Sequence, residues 1–182
     1  MRKLLLILIF AAVLFLLTGC SESTPIWEDW EVFDFTFEPF PDAIVFVTEY
    51  EVYSLNALNS GTMISANLYS AEYHIRFGEA FAIVKQAGDG WRIVPVDGLG
   101  FLDVGITIPP SVYWAFWVTN EHFDLSTATN ALYTDGMLVP GTYRIVLMDK
   151  VSICRDGIFF GWQFQDVRAW HGLVWAEFTI YE

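Results

Sequence analysis

Leu138-Val139-Pro140-Gly141-Thr142-Tyr143, running on into Arg144-Ile145-Val146-Leu147, decides how this chain is read. A Leu-x-x-Gly-x-Tyr string ahead of an apolar run suits the start of a strand in a two-sheet Greek-key sandwich. In such sandwiches a tyrosine folds back, and its hydroxyl bonds backbone a few residues upstream. Gly141 would supply the backbone freedom for that corner and Pro140 the bend. Leu138, Gly141 and Tyr143 are therefore expected to be structural, and Tyr143 is given no catalytic role.

Outward from this corner the pattern is β from Asp42 onward. Ala43 to Tyr53 is rich in Val, Ile, Phe and Tyr, with Val47, Glu49, Glu51 and Tyr53 expected on an exposed face. Asn56 to Gly61 is a turn cluster. Thr62 to Tyr69 alternates, with Met63, Ser65, Asn67 and Tyr69 on one face and Ile64, Ala66 and Leu68 on the other. Tyr73 to Gln86 reads as a strand pair or a bent strand with Gly78 at the bend. Gly88-Asp89-Gly90 is a hairpin signal, because Gly and Asp tolerate the positive φ that tight hairpins require. Val104 to Ile108 runs into Pro109-Pro110, which stops a ladder. Val112 to Val118, Leu138 to Met148, Ile158 to Phe164 and Leu173 to Tyr181 supply further strands. No helical face longer than about ten residues stands out. The expectation is an all-β, Greek-key β-sandwich of about seven strands.

The N-terminal stretch has a different grammar. Arg2 and Lys3 precede an unbroken apolar run, Leu4 to Leu17, and the small Gly19 stands before Cys20. The run is shorter than the roughly 20 residues that span a bilayer, so it reads as a secretory signal. Leu17-Thr18-Gly19-Cys20 closely resembles the lipobox of bacterial lipoproteins. That resemblance implies that residues 1–19 are a cleaved signal peptide. It also implies that Cys20 carries a covalent diacylglycerol lipid and becomes the mature N-terminus. Residues 20–41 then form a lipid-anchored tether with an aromatic–acidic segment, and 42–182 form the sandwich domain. The protein would sit on the extracytoplasmic side of a bacterial cell membrane. Ser21 favours the outer membrane if the host has one.

The whole chain carries 9 Lys+Arg against 22 Asp+Glu. Loss of Arg2 and Lys3 leaves 7 against 22, a formal charge of −15. Such a chain repels phosphate backbones, which excludes nucleic acid as an expected partner. With Cys20 committed to lipid, Cys154 stands alone and can form no intramolecular disulfide. Packing by 16 Phe, 8 Tyr and 8 Trp must then hold the domain. Six of these aromatics, Trp27, Trp30, Phe33, Phe35, Phe37 and Phe40, alternate with acidic residues ahead of Pro41. This segment either packs along the domain or docks on a partner or sugar surface.

Three parts of the chain resemble a bacterial immunoglobulin-like domain family found in lipoproteins and membrane sensors. They are Glu72 to Val84, Asp89-Gly90-Trp91-Arg92-Ile93-Val94, and Leu138 to Val146. The likeness spans roughly residues 45–181. It implies a sandwich of about seven strands and no enzymatic activity. The aromatic leader and the segment Lys150 to Gly172 depart from the family pattern.

Chemistry-bearing spacings are absent. His74, His122 and His171 are far apart, with no His-x-x-x-His or Cys-x-x-Cys pair to mark a zinc site. There is no Gly-x-Ser-x-Gly elbow. Asp97, Asp103, Asp124 and Asp135 do not fit a calcium loop. No metal and no cofactor beyond the lipid is expected. The candidate binding surface is the long connection Thr119 to Met137, with His122, Phe123, Asp124, Tyr133 and Asp135. The late segment adds Trp162, Trp170 and His171, residue types that stack on sugars and bond their hydroxyls. The function expected is that of a tethered binding module for an envelope protein, a peptide or a glycan. The alternative is a structural or sensory accessory domain without a ligand of its own, and a cell-wall glycan hydrolase ranks last.

Overall fold

The computed structural model describes residues 25–78, 80–96, 105–120, 131–148, 151–154 and 171–182, apart from the side chains of Cys154 and His171. Cys20, the signal peptide and the strand expected over Ile158–Phe164 lie outside the described residues. Among the described residues no helix is long and apolar enough to cross a membrane.

The protein is an all-β sandwich. Its described strands are β1 (Val45–Thr48), β2 (Val52–Ser54), β3 (Ile64–Tyr69), β4 (His74–Gly78), β5 (Phe81–Ala87) and β6 (Gly90–Ile93), then β7 (Gly105–Ile108), β8 (Tyr113–Thr119) and β9 (Ala131–Tyr133), and finally β10 (Gly141–Leu147), β11 (Val151–Cys154), β12 (His171–Gly172) and β13 (Trp175–Tyr181). A single helical turn, α1 (Leu55–Leu58), follows β2. One sheet has the order β1-β3-β8-β9, the second β2-β13-β10-β5-β6, and a third, smaller one β12-β11-β4-β7. Most pairs are antiparallel. β2 with β13 and β8 with β9 are parallel.

Alternation builds the core. Ile64, Ala66 and Leu68 on β3 are fully buried against Val118, Phe116 and Trp114 of β8, their register partners. The Phe116 ring lies 5.0 Å from Phe81, 5.5 Å from Phe46 and 5.9 Å from Phe77, so one side chain joins all three sheets. These tilted and edge-on geometries suit aromatic quadrupoles. The Gly88 hairpin forms as a two-residue turn, with Ala87 opposite Gly90 and Gly88 at φ 60°.

Two expected strands are broken in ways that matter. Ala43–Tyr53 is not one strand. β1 pairs with β3, whereas β2 crosses to the other sheet and pairs with β13. The crossing at Glu49–Glu51 reverses the side-chain phase. Val47 stays exposed, but Tyr53 is buried and packs edge-on to Phe178 at 5.8 Å, so its expected exposure is wrong. The long strand around Gly78 also bends. β4 and β5 break where β10 and β11 break, and Met148 N donates to Ala80 O at 2.9 Å, carrying the pairing across the bend.

The corner at Tyr143 has full geometry. Its hydroxyl donates to Val139 O at 2.6 Å and accepts from Val139 N at 3.0 Å. The buried ring stacks on Phe178 with centroids 5.4 Å apart and planes at 12°. Leu138 is buried beside it. Gly141 sits at φ 147°, a backbone conformation that favours glycine, and a Cβ there would also push the end of the Lys85 side chain, whose Nζ would lie 2.5 Å away.

Tyr143→Phe keeps the ring and strips the hydroxyl, leaving two Val139 backbone groups without their partner. It should cost about 1–3 kcal/mol, read as a lower denaturant midpoint at unchanged slope. Burial pushes the Tyr143 hydroxyl up from 10.0 to about 12. The folded protein therefore holds this proton more tightly than the unfolded chain. Its contribution is complete below the unfolded value and is lost as pH rises from 10.0 to about 12. The stability gap between the wild type and Tyr143→Phe should narrow across that window. A gap that stays constant there would refute the assignment.

Candidate functional site

The two outer faces of the sandwich are treated differently by the chain. The outer face of β6, β5, β10 and β13 is covered by the leader. A 3₁₀ turn (Ile26–Asp29) places Trp27 over the end of the core. Phe33 N then donates to Trp91 O at 2.9 Å and Ile93 N to Glu31 O at 2.8 Å, so Glu31–Phe33 pairs along the edge of β6. Phe33 is buried with Val84 and Val146. Phe37 packs edge-on to Trp91 and Trp175, and Phe40 edge-on to Trp175. The aromatic–acidic segment thus packs along the domain.

Arg144 is the pin. Its guanidinium carbon lies 4.4 Å from the Phe37 ring centre, 4.4 Å from Trp91 and 5.0 Å from Trp175. It also bonds Glu177 Oε2 through Nε at 2.9 Å and through the terminal nitrogen at 2.8 Å. A planar cation among three rings is the favoured geometry for such contacts. On the inner side Lys85 is buried, with Nζ 5.4 Å from the Trp27 ring and 5.6 Å from Tyr143. Burial lowers its pKa from the usual lysine value.

Among the described residues, none packs over the outer face of β1, β3 and β8 as the leader does over the other sheet. Here a groove of about 580 Å³ is lined by Val47, Asn67, Tyr69, Ala71, Ser111 and Tyr113. Tyr69 and Tyr113 are register partners across the β3–β8 pair, and they are 37% and 68% exposed. The Asn67 amide makes no hydrogen bond within the described residues, and neither tyrosine hydroxyl does. Ser111 is held at φ 63° by Ser111 N donating to Ser70 O at 2.7 Å, and its hydroxyl reaches Ala71 O at 3.4 Å. The rim is thus fixed by the turn at Pro109–Ser111. No lining residue is charged.

Of the residues expected to form a binding surface, Tyr133 and Asp135 are the two whose side chains are described. His122, Phe123, Asp124, Trp162 and Trp170 lie outside the described residues, as does the His171 side chain. Tyr133 is only 9% exposed, because Ala131–Tyr133 pairs with Trp117–Thr119 as a parallel strand. It is a packing residue on β9 and not a loop side chain. Asp135 is exposed in a turn at φ 45°, closed by Met137 N donating to Thr134 O at 2.8 Å. The structure does not bring Tyr133 and Asp135 together as a site. Among the described residues no group of three or more His, Cys, Asp or Glu is placed to hold a metal ion.

The buried residue that organises this region is Asn120. Its Oδ1 accepts from Thr134 Oγ1 at 2.8 Å and from Leu138 N at 3.0 Å, and its Nδ2 donates to Asn59 Oδ1. One amide therefore ties the end of β8, the start of the Tyr143 corner and the turn after α1. The groove residues Asn67 and Tyr69 sit on the face that alternation assigns to the outside. What alternation alone does not give is Tyr113 and Ser111 beside them.

No family model, no curated protein and no solved structure matches this chain.

Asn120→Ala should lower stability by about 1–3 kcal/mol for the buried groups it strands, while Asp135→Asn, exposed and still tolerant of φ 45°, should stay within about 0.5 kcal/mol of wild type. Chemical denaturation of both variants checks the ranking. Equal losses would show that the turn, and not the Asn120 amide, holds the region.

Proposed function

We propose that this chain is a membrane-tethered extracytoplasmic lipoprotein whose immunoglobulin-like sandwich is a binding module. The observation that carries the reading is the groove on the outer β1-β3-β8 face, whose described lining is uncharged and holds two exposed tyrosines and an amide with no partner among the described residues. Exposed aromatics grouped around a concavity with solvent-facing polar groups free to exchange water for a ligand are the make-up of a recognition surface. The lipoprotein reading rests on Leu17-Thr18-Gly19-Cys20 and the Arg2-Lys3 start. The immunoglobulin-type assignment is supported by the orders β1-β3-β8 and β13-β10-β5-β6, which follow that sandwich class.

Placement agrees with the role. Trp27 packs at the end of the sandwich where Lys85 pairs with Tyr143. Thr48 bonds Glu177 O, and Thr179 N bonds Glu51 O, so β1 runs alongside β13 toward that same end. Val45 and its partner Tyr69 therefore lie toward the opposite end. A lipid at Cys20 would hold the leader end at the membrane and turn the groove away from it.

In-cell crosslinking of the full chain, with Cys20→Ser as the unanchored control, tests both parts. Cys20→Ser should release the protein from the membrane fraction, and Tyr113→Ala should remove the crosslinked or retained partner without lowering abundance. A Cys20→Ser chain that stays in the membrane sinks the lipoprotein reading. Partner capture that is indifferent to Tyr69→Ala and Tyr113→Ala sinks the groove.

A further inference from the structure

We infer that the groove binds a neutral saccharide, an inference that rests on the binding-module reading and names its ligand class. Size comes first. A stable protein interface buries about 800 Å² on each partner, whereas a concavity of about 580 Å³ falls in the range that houses a small ligand. A short run of sugar units matches that scale.

The lining chemistry narrows the class. Tyr69 and Tyr113 are opposite each other in the β3–β8 register and both line the groove, so it offers two aromatic rings to a ligand. Sugar rings offer C–H faces that pack on such platforms, leaving hydroxyls pointing sideways. Sideways here are the Asn67 amide, which both donates and accepts, the Ser111 hydroxyl and the two phenols. Asn67 and the phenols have no partner among the described residues, so a ligand hydroxyl would satisfy groups that now face water. Val47 and Ala71 add apolar surface to the lining.

Charge decides between sugar types. None of the six lining residues is charged, and the chain carries 22 acidic against 9 basic residues. A uronate, sulfate or phosphate group would find no cation among the described lining residues and a net negative chain around it. The ligand is therefore a neutral glycan, not an anionic one.

The test uses the full chain in detergent micelles on a glycan array that holds neutral and anionic oligosaccharides, followed by titration calorimetry with the best neutral tetrasaccharide. Binding to neutral glycans is expected. Tyr113→Ala should weaken it about tenfold, the loss of one stacking contact together with its apolar area. Tyr113→Phe should keep most of it, and Asn67→Ala should also weaken it. Thermal melting of each variant separates lost binding from lost folding, and the high exposure of Tyr113 favours an intact fold. An array that is silent for neutral glycans overturns the saccharide inference, as does preferential binding of anionic glycans. If the array is silent while Tyr113→Ala still abolishes a crosslinked protein, the saccharide class fails and the binding module stands. If both are negative, both readings fall.

Discussion

The hydrogen bonds between the Tyr143 hydroxyl and the Val139 backbone are the constraint on which the rest of the sandwich hangs. They fix where β10 begins, and β10 is the middle strand of the five-stranded sheet, between β13 and β5. Strand geometry then places successive side chains on opposite faces. Tyr143 faces inward, stacked on Phe178, and so Arg144 must face outward. A one-residue slip would bury the guanidinium and expel the phenol. The corner therefore also sets the position of the cation that gathers Phe37, Trp91 and Trp175.

That outward cation explains why the leader belongs to the fold. Val84, Val146 and the Trp91 and Trp175 rings would leave an apolar patch on the outer face of the sheet. The leader covers it with Phe33, Phe37 and Phe40 and pairs along the β6 edge, which would otherwise offer unpaired backbone groups. The boundary at Pro41 is thus a boundary of sequence style and not of packing. The opposite outer face keeps its aromatics in solvent. Of the described aromatics, Phe33, Phe37 and Phe40 of the leader serve the covered face, while Phe46, Phe77, Phe81 and Phe116 fill the interior between the sheets.

Much of this was legible in the residues. The alternation of Thr62–Tyr69, the Gly88-Asp89 hairpin and the stop at Pro109-Pro110 are local signals, and local signals survive into the fold. Tyr53 was misread because its phase depends on a sheet crossing at Glu49–Glu51, which is a tertiary event. The strand that holds Tyr133 is not legible locally, because a three-residue parallel strand has no signature apart from its distant partner at Trp117–Thr119. The groove was half legible. Alternation put Asn67 and Tyr69 outside, but only the β3–β8 register sets Tyr113 beside Tyr69, more than forty residues later in the chain. Asn120 gave no sign of its role, since a lone polar residue after a strand reads as a surface turn.

The coupling between these parts runs through single side chains. Asn120 bonds Leu138 N, and Leu138 begins the string that ends at Tyr143. The same residue closes β8, whose first residue, Tyr113, forms the rim of the groove. The groove is therefore carried on a strand anchored at both of its ends, by the Ser111–Ser70 bond at one and by the Asn120 amide at the other. A recognition surface on such a strand is rigid before it meets a ligand, and preorganisation of this kind lowers the ordering cost of binding. Weak stacking contacts can then suffice, which is the regime a small uncharged groove requires.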